Sequence, residues 1–277
     1  MATALVTPFR DGAVDLAAVQ DLAHRQVEAG VHALVPCGTT GEAPTLTSEE
    51  WNQVVRVVVE VSAGSVPVVA GCGTNSTAST VVNVELAGSL GVDAVLVVLP
   101  YYNRPNPMGL LAHVRAVAAV GVPVVLYHVP GRTGQWVPSP QLAQLCAVEG
   151  VVGIKEATGD LSYGVSLLQR VDVPVLSGDD FTFAELIGLG ALGVISVLSN
   201  LAPRDTVRWY EAARAGDESM LADLSGRLQP VVGYLFGESN PVPVKAALSS
   251  MGLCTSEVRL PLAPGVPPAP ELLQGLS

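Results

Sequence analysis

Short apolar runs recur along the chain, and segments with the periodicity and punctuation of helices separate them. Most of these runs are continuously apolar and do not alternate with polar positions. That pattern is typical of parallel strands that are covered on both faces of the sheet. Eight strands are therefore predicted, at residues 4–9, 32–37, 66–72, 94–99, 122–129, 151–157, 173–177 and 193–198.

Punctuation residues mark several of the helices between these strands. Thr47-Ser48-Glu49-Glu50 has the form of a capping box and predicts a helix that continues to about residue 61. Residues 15–29 carry apolar side chains on one helical face, with a glycine directly after them, and predict an amphipathic helix. Ser139-Pro140 predicts an N-cap followed by proline at the first helical position, and Gly150 is predicted to close that helix.

The alternation of strands and helices predicts the α/β class, as a single (β/α)8 TIM barrel. Eight strand-then-helix units in one chain are typical of a closed parallel barrel, and the length of 277 residues fits one such barrel. Residues 1–200 are predicted to form the barrel core. Residues 201–277 are predicted to be a C-terminal helical extension packed on the barrel within one structural domain, with two helices over about 203–252.

Composition argues against several classes of function. The formal net charge is −11 and the basic residues are scattered, which argues against nucleic acid or an anionic membrane as a partner. No apolar run approaches the roughly 18 residues of a membrane-spanning helix, and no basic leader is visible, so a cytoplasmic location is expected. The four cysteines and four histidines lack metal-ligand spacing, and neither a metal site nor a disulfide framework is expected.

One lysine lies inside a predicted buried strand. Of the 14 lysine and arginine residues in the chain, only Lys155 and Lys245 are lysines. Burial disfavours the charged ammonium, and the neutral amine is a nucleophile that forms Schiff bases with carbonyl compounds. Lys155 is therefore the candidate covalent catalyst. The alternative is a lysine at the end of a strand that is paired with a carboxylate.

Further polar residues follow the carboxyl ends of predicted strands, where (β/α)8 barrels carry their active sites. Thr39 and Thr40 lie in a glycine-bounded turn whose hydroxyls and backbone N–H groups suit a small carboxylate. Tyr127 is placed to move a proton, and Arg132 offers two parallel hydrogen bonds to a carboxylate. The alternatives are an ordinary capping threonine, a core tyrosine and a surface ion pair.

Three polar residues near these positions are assigned structural roles instead. His128 alternates to the strand face opposite Tyr127 and is expected to be a packing residue. Asp179 and Asp180 are expected to cap the helix that follows them. No glycine-rich phosphate-binding motif is present, so neither a nucleotide nor a phosphorylated sugar is indicated as a ligand.

Three motifs occur in order along the chain: Gly38-Thr39-Thr40-Gly41-Glu42, Tyr127-His128-Val129-Pro130-Gly131-Arg132-Thr133-Gly134 and Gly153-Ile154-Lys155-Glu156-Ala157-Thr158. Together with residues 100–105, 176–180, 193–197 and 240–245, they closely resemble the dihydrodipicolinate synthase / N-acetylneuraminate lyase family. The resemblance runs from Thr3 to about Leu262. It implies a TIM-barrel lyase that uses no metal and no cofactor apart from a covalent Schiff base with its own substrate.

The resemblance implies catalytic roles for four residues. Lys155 would form the Schiff base with the keto carbon of pyruvate. Tyr127 would donate and accept protons while the imine and the new C–C bond form. Thr39 and Tyr102 would complete the proton relay, with Tyr102 reaching in from a neighbouring subunit. The family therefore implies at least a dimer, and commonly a homotetramer built as a dimer of dimers.

The resemblance also implies a substrate pocket. Thr40 would bind the pyruvate carboxylate, and Gly178 and Ile195 would line the pocket with backbone groups. In the synthase branch an arginine at the position of Arg132 binds aspartate semialdehyde. This favours condensation of pyruvate with L-aspartate-4-semialdehyde to 4-hydroxy-tetrahydrodipicolinate, in lysine and diaminopimelate biosynthesis. The alternatives are a sibling aldolase or dehydratase acting on a keto-sugar acid, N-acetylneuraminate or 4-hydroxy-2-oxoglutarate, and a non-catalytic metabolite-binding relative.

Two departures from the family pattern have consequences. His128 stands where asparagine is more usual. Regulated members bind lysine through histidines shortly after the glycine-threonine turn and through an acid after the third strand. Residues 44–51 and 75–79 lack those side chains, although Asn75 is kept. Weak or absent inhibition by lysine is therefore implied.

Overall fold

The computed structural model describes all residues from 1 to 277. Its main sheet has eight strands, labelled here in chain order: β1 Ala2–Ala4, β2 Ala33–Val35, β3 Val69–Gly71, β4 Ala94–Val98, β5 Val124–His128, β6 Val151–Glu156, β7 Val175–Ser177 and β8 Gly193–Ser196. A separate two-stranded antiparallel hairpin, Phe9–Arg10 with Ala13–Val14, follows β1.

The eight strands are parallel and form a nearly closed barrel. Their order in the sheet is β2-β1-β8-β7-β6-β5-β4-β3. An isolated parallel bridge between Leu34 of β2 and Val68, which directly precedes β3, joins the two ends of that order. The predicted (β/α)8 barrel is therefore confirmed.

Ten helices of six or more residues accompany the strands: α1 Leu16–Glu28, α2 Ser48–Ser62, α3 Thr77–Ser89, α4 Pro107–Ala118, α5 Ser139–Cys146, α6 Leu161–Leu168, α7 Phe183–Gly188, α8 Pro203–Ala215, α9 Glu218–Leu235 and α10 Val242–Ser250. Short helical turns lie at Ala43–Thr45, Pro130–Thr133, Leu198–Asn200 and Pro270–Leu273. No helix combines the length and the apolar character that crossing a membrane requires.

Two of the predicted helix starts are confirmed. The Thr47 hydroxyl accepts a hydrogen bond from the Glu50 N–H, and the Glu50 carboxylate accepts one from the Thr47 N–H, so the capping box of α2 is complete. The Asp15 carboxylate accepts a hydrogen bond from the Ala18 N–H and caps α1. Both caps are local interactions within one helical turn. The sequence pattern predicted the capping box, and the Asp15 cap agrees with the helix predicted to start at residue 15.

The cap predicted at Ser139 is wrong by one residue. Ser139 is the first residue of α5, and Pro138 occupies the cap position without a side-chain hydrogen bond. The Ser139 hydroxyl lies 2.8 Å from the Ser166 hydroxyl, so it contacts the next helix and does not cap its own. The helix also ends earlier than predicted, at Cys146, while Gly150 lies in the turn before β6 with a φ of +91°.

The first strand differs from its predicted position. It was expected at residues 4–9, whereas β1 ends at Ala4 and Phe9 belongs to the hairpin. Pro8 has no N–H to donate to a sheet. Asp11 and Gly12 adopt positive φ angles of 53° and 81°, as tight hairpin turns require.

The region after β8 contains three long helices, and the prediction of two was wrong. Gly216 adopts a left-handed φ of +68° and ends α8. Asp217 immediately caps α9 by accepting a hydrogen bond from the Met220 N–H. The third helix, α10, begins after Pro241.

The chain forms two compact units. The first comprises Met1–Val68 and Ser196–Ser277, and its largest fully buried side chains include Trp209 and Phe9. The second comprises Val69–Ile195, with Phe183 among its buried core side chains. The predicted boundary at residue 200 stays a prediction.

Candidate active site

Lys155 lies in β6, in the core of the second unit. Only 6% of the residue is exposed, which confirms that this lysine lies in a buried strand. Its backbone is in register with Tyr127 of the neighbouring strand β5. The Lys155 ammonium nitrogen lies 4.4 Å from the centre of the Tyr127 ring, and Tyr127 is itself 6% exposed. The two side chains predicted to carry the chemistry therefore lie together in this unit.

The electrostatic surroundings of Lys155 favour its neutral form. Burial lowers the pKa of the amine from 10.5 to about 8, and the positive charge of Arg132 contributes to the lowering, while Asp180 and Asp179 oppose it. An amine with a pKa near 8 has an appreciable neutral fraction near neutral pH, whereas an ordinary lysine has almost none. The neutral amine is the nucleophilic form.

Gly178 directly follows β7 and packs against the Lys155 side chain. A Cβ placed on Gly178 would lie 2.6 Å from the Ala157 Cβ and 2.8 Å from the Lys155 Cε. The Gly178 N–H donates a hydrogen bond to the Glu156 carbonyl oxygen, with 2.6 Å between N and O. Only glycine fits this position, so the backbone approaches the methylene chain of Lys155 closely.

Arg132 and Tyr102 lie in neighbouring loops of the second unit. Arg132 is an exposed residue of the short helical turn after β5. The Tyr102 N–H donates a hydrogen bond to the carbonyl oxygen of Thr133, with 3.3 Å between N and O. The Tyr102 side chain is 89% exposed and its φ is +72°, a conformation that is uncommon for a bulky residue.

The remaining predicted residue of the second unit is Ile195, which is buried in β8. Asp179 and Asp180 differ from their predicted role as helix caps, since Thr182 occupies the cap position of α7. The Asp179 carboxylate instead accepts a hydrogen bond from the Phe181 N–H at 2.8 Å, before the helix begins. Asp180 is buried, and both carboxylates act electrostatically on Lys155.

Thr39 and Thr40 lie in the first unit, in the tight turn formed by residues 38–42, called here the threonine turn. The N–H groups of Gly41 and Glu42 donate hydrogen bonds to the carbonyl oxygens of Gly38 and Thr39, each with 3.1 Å between N and O. Thr40 is buried, and its hydroxyl oxygen accepts a hydrogen bond from the Asn240 amide at 2.8 Å.

Comparison with known proteins identifies the family. The profile of the Dihydrodipicolinate synthetase family matches residues 1–267. The chain belongs to this family. It is 46% identical over 266 residues to the 4-hydroxy-tetrahydrodipicolinate synthase of Maridesulfovibrio salexigens, covering 95% of this chain and 91% of that protein. It is 47% identical over 265 residues to the enzyme of the same name from Anaeromyxobacter sp., covering 94% and 90%.

A solved structure of the same family has the same fold. The chloride-inhibited dihydrodipicolinate synthase of Acinetobacter baumannii, complexed with pyruvate, superposes with a TM-score of 0.92 at 41% identity. The match covers 98% of this chain and 94% of that chain. With relatives at this identity and coverage, the protein is an aldolase-type enzyme of the lyase class.

Two residues of the family motif at 240–245 have contacts that the sequence analysis did not assign. Asn240 contacts Thr40, as described above, and the Lys245 ammonium lies 2.6 Å from a carboxylate oxygen of Glu42. One sequence feature would have indicated Lys245. It is one of two lysines in the chain, and it stands in a helix whose other side chains are mostly apolar.

His128, the departure from the family pattern, is fully buried on the outer face of β5. Its ring packs against Trp136 and Tyr163, with ring centres 6.2 Å and 5.6 Å away. Burial lowers the pKa of its imidazole to about 4, so the ring is neutral near neutral pH. Its predicted role as a packing residue is confirmed. No group of three or more His, Cys, Asp or Glu side chains is arranged to hold a metal ion.

Proposed function

We propose that the protein condenses pyruvate with L-aspartate-4-semialdehyde to 4-hydroxy-tetrahydrodipicolinate, a step in lysine and diaminopimelate biosynthesis. The observation that carries this proposal is the buried Lys155, whose pKa of about 8 supplies a neutral amine beside Tyr127. The names of the related enzymes support the choice of reaction.

The proposed chemistry begins with attack of the Lys155 amine on the keto carbon of pyruvate. The resulting carbinolamine loses water, and the imine that forms loses a methyl proton to become an enamine. The enamine carbon attacks the aldehyde carbon and forms the new C–C bond, while the aldehyde oxygen takes up a proton. The amino group of the second substrate then displaces Lys155 and closes the ring.

Tyr127 is the proposed proton donor and acceptor for these steps, because its ring lies against the Lys155 nitrogen. Thr39 and Tyr102 are proposed as the rest of its relay. The nearly full exposure and left-handed backbone of Tyr102 fit a side chain that is held outward for use in a second subunit. We therefore include a homotetramer in the proposal, with Tyr102 contributed by the neighbouring subunit.

Different residues are proposed to bind the two substrates. Thr40 binds the pyruvate carboxylate, and Gly178 and Ile195 line the pocket with backbone groups. Arg132, exposed in the turn after β5, binds the carboxylate of the aldehyde with its planar guanidinium.

The test of the proposed function is reductive trapping followed by a coupled assay. Pyruvate and borohydride should add one pyruvate-derived group to the Lys155 peptide, seen by mass spectrometry. Aspartate semialdehyde should then be consumed with pyruvate in steady state. Trapping without use of this aldehyde would instead favour a sibling aldolase.

Arg132→Ala is expected to separate the two half-reactions. The pyruvate adduct should still form, with only a small loss of rate because the Lys155 pKa rises when the Arg132 charge is removed. KM for aspartate semialdehyde should rise on the order of 100-fold, because one charged hydrogen-bonding pair is lost. Steady-state kinetics and trapping measure the two effects. Arg170→Ala, which changes an exposed arginine of the same unit, should alter neither. Equal losses in both half-reactions would contradict the role assigned to Arg132.

The pH dependence of imine formation is expected to reflect the pKa of Lys155. Below about pH 8 the neutral fraction of this amine grows roughly tenfold for each unit of pH, and above that value it approaches saturation. The rate of cyanoborohydride trapping at limiting pyruvate, measured from pH 6 to pH 10, should therefore rise and level off near pH 8. A rate that still climbs several-fold between pH 9 and pH 10 would indicate an ordinary lysine.

Gly178→Ala is expected to lower the rate of adduct formation by about 100-fold, because the new methyl group displaces the Lys155 side chain. Trapping kinetics provide the measurement. Gly188→Ala is the matched control, since a Cβ at Gly188 meets no atom within 4 Å, and its adduct should form at the normal rate. Normal trapping by Gly178→Ala would show that the close approach to Lys155 does not matter.

A further inference from the structure

The motif at residues 240–245 has no role in the chemistry proposed above, yet its polar side chains reach the threonine turn. The Asn240 amide nitrogen donates a hydrogen bond to the Thr40 hydroxyl oxygen, with 2.8 Å between the two atoms. The two residues are 200 positions apart in the chain. Thr40 is 3% exposed, so this bond forms largely out of contact with solvent.

The direction of this hydrogen bond constrains the proton of Thr40. A threonine hydroxyl has one proton to donate and lone pairs that accept. Asn240 occupies one of the lone pairs, so the proton must point to a different acceptor. A carboxylate accepts hydrogen bonds and donates none. Asn240 therefore excludes the orientation in which the Thr40 proton faces the amide, and it leaves the hydroxyl as a donor to another acceptor, such as a substrate carboxylate.

The backbone on the carboxyl side of Thr40 is held by the same motif. The Lys245 ammonium donates one hydrogen bond to a Glu42 carboxylate oxygen at 2.6 Å and another to the Thr7 carbonyl oxygen at 2.8 Å. The Thr7 hydroxyl in turn donates to the Gly41 carbonyl oxygen at 2.8 Å. These bonds restrain Gly41 and Glu42, the two residues that follow Thr40. The turn should therefore keep its position when the Thr40 side chain binds a ligand.

The other Glu42 oxygen accepts a hydrogen bond from the Arg259 N–H at 3.0 Å, so both carboxylate oxygens are bound. Close packing restrains the turn further. A Cβ on Gly41 would lie 2.9 Å from the Cys37 backbone nitrogen, which leaves no room for a side chain at this position. The Thr40 hydroxyl thus lies in a restrained turn and accepts a hydrogen bond from an amide that is 200 positions away in the chain.

We propose that Asn240 is a positioning residue for substrate binding: it orients the Thr40 hydroxyl so that this group donates its proton to the carboxylate of the keto acid. The inference rests on the carboxylate-binding role proposed for Thr40. Asn240 acts on the affinity for pyruvate and not on the chemistry at Lys155.

The test is a double-mutant cycle read out by pyruvate titration of the trapping reaction. Asn240→Ala should raise the half-saturating pyruvate concentration roughly 10-fold or more, the factor expected for one hydrogen bond to a charged group. The rate at saturating pyruvate should change by less than about 3-fold. Thr40→Val should raise the half-saturating concentration similarly, and adding Asn240→Ala to it should have little further effect, because the hydroxyl is already absent.

Additive effects of the two changes would overturn the proposal, because they would show that Asn240 acts without Thr40. A loss confined to the rate at saturating pyruvate would also overturn it. Asn83→Ala is the control: Asn83 is a half-buried asparagine whose amide donates to the Cys72 carbonyl oxygen at 3.1 Å, and the pyruvate dependence of this variant should be normal.

A second variant covers the case in which Asn240→Ala does not fold. Asn240→Asp keeps the shape and replaces the donor by an acceptor, so the Thr40 proton turns towards it and the half-saturating concentration should rise at least 10-fold. An unchanged value would overturn the proposal. Absence of any adduct in the unmodified protein would overturn the proposed function itself, whereas a normal adduct with normal pyruvate dependence in Asn240→Ala would overturn only the role of Asn240.

Discussion

Lys155→Met is expected to abolish the pyruvate adduct and to reduce turnover on the order of 10³-fold or more. Methionine is similar in length and volume to lysine and has no amine, so the covalent route is closed while the packing against Tyr127 and Gly178 is kept. Asp180, a buried carboxylate, loses its favourable interaction with this amine in the variant, so thermal unfolding of Lys155→Met is measured beside its activity.

The chain makes this experiment unusually clear to interpret, because its only other lysine is Lys245. Mass spectrometry of the trapped protein distinguishes the two peptides without ambiguity. The control is the unmodified protein treated with borohydride alone, which should gain no mass. An adduct that persists in Lys155→Met, or that is found on the Lys245 peptide, would remove the basis of the proposed mechanism.

Lys245→Met is expected to have the largest effect on stability, lowering the free energy of unfolding by about 3–5 kcal/mol. The side chains of Lys245 and Glu42 are 0% and 1% exposed, and their charged atoms are 2.6 Å apart. Burial also lowers the pKa of Lys245, and Glu42 opposes that shift. Removing the lysine would leave the Glu42 carboxylate buried without its ionic partner. Urea denaturation at fixed protein concentration measures the loss.

Two companion variants separate this effect from a general sensitivity to mutation. Arg10→Met breaks the Arg10–Asp15 ion pair, whose side chains are 62% and 12% exposed, and should cost less than about 1 kcal/mol. Combining Lys245→Met with Glu42→Gln should recover much of the loss, because no uncompensated charge then remains buried. If Lys245→Met costs no more than Arg10→Met, the buried pair does not stabilise the protein.

Local interactions account for what the sequence predicted well. The capping box at Thr47 involves atoms within one turn of a helix, and the pattern of residues nearby was sufficient to place it. The eight strands followed from apolar runs of the right length, although β1 was misplaced because the hairpin after it competes for Phe9. The cap predicted at Ser139 is wrong because the Ser139 hydroxyl contacts the hydroxyl of Ser166, a residue of another helix.

The residues of the candidate site also fall into two groups, those that local sequence patterns predicted and those whose role depends on tertiary packing. The apolar run around Lys155 predicted a buried amine without any knowledge of its neighbours, and the strand ends indicated Tyr127, Thr40 and Arg132 as polar candidates. The sequence predicts Asp180 as a helix cap, whereas it is a buried carboxylate that raises the pKa of Lys155. That role depends on how β6 and the segment after β7 pack, which no local pattern contains.

The alternation of strands and helices, the burial of Lys155 and the resemblance to a barrel family could all be predicted from the amino-acid sequence. These properties depend on periodicity, on capping and on motifs that are contiguous in the chain. The ion pair of Lys245 with Glu42 and the hydrogen bond from the Asn240 amide to the Thr40 hydroxyl are seen only in the folded protein. The partners in these pairs are 203 and 200 residues apart. Their energies depend on distance and desolvation in the folded state, and these quantities exist only once the chain has folded.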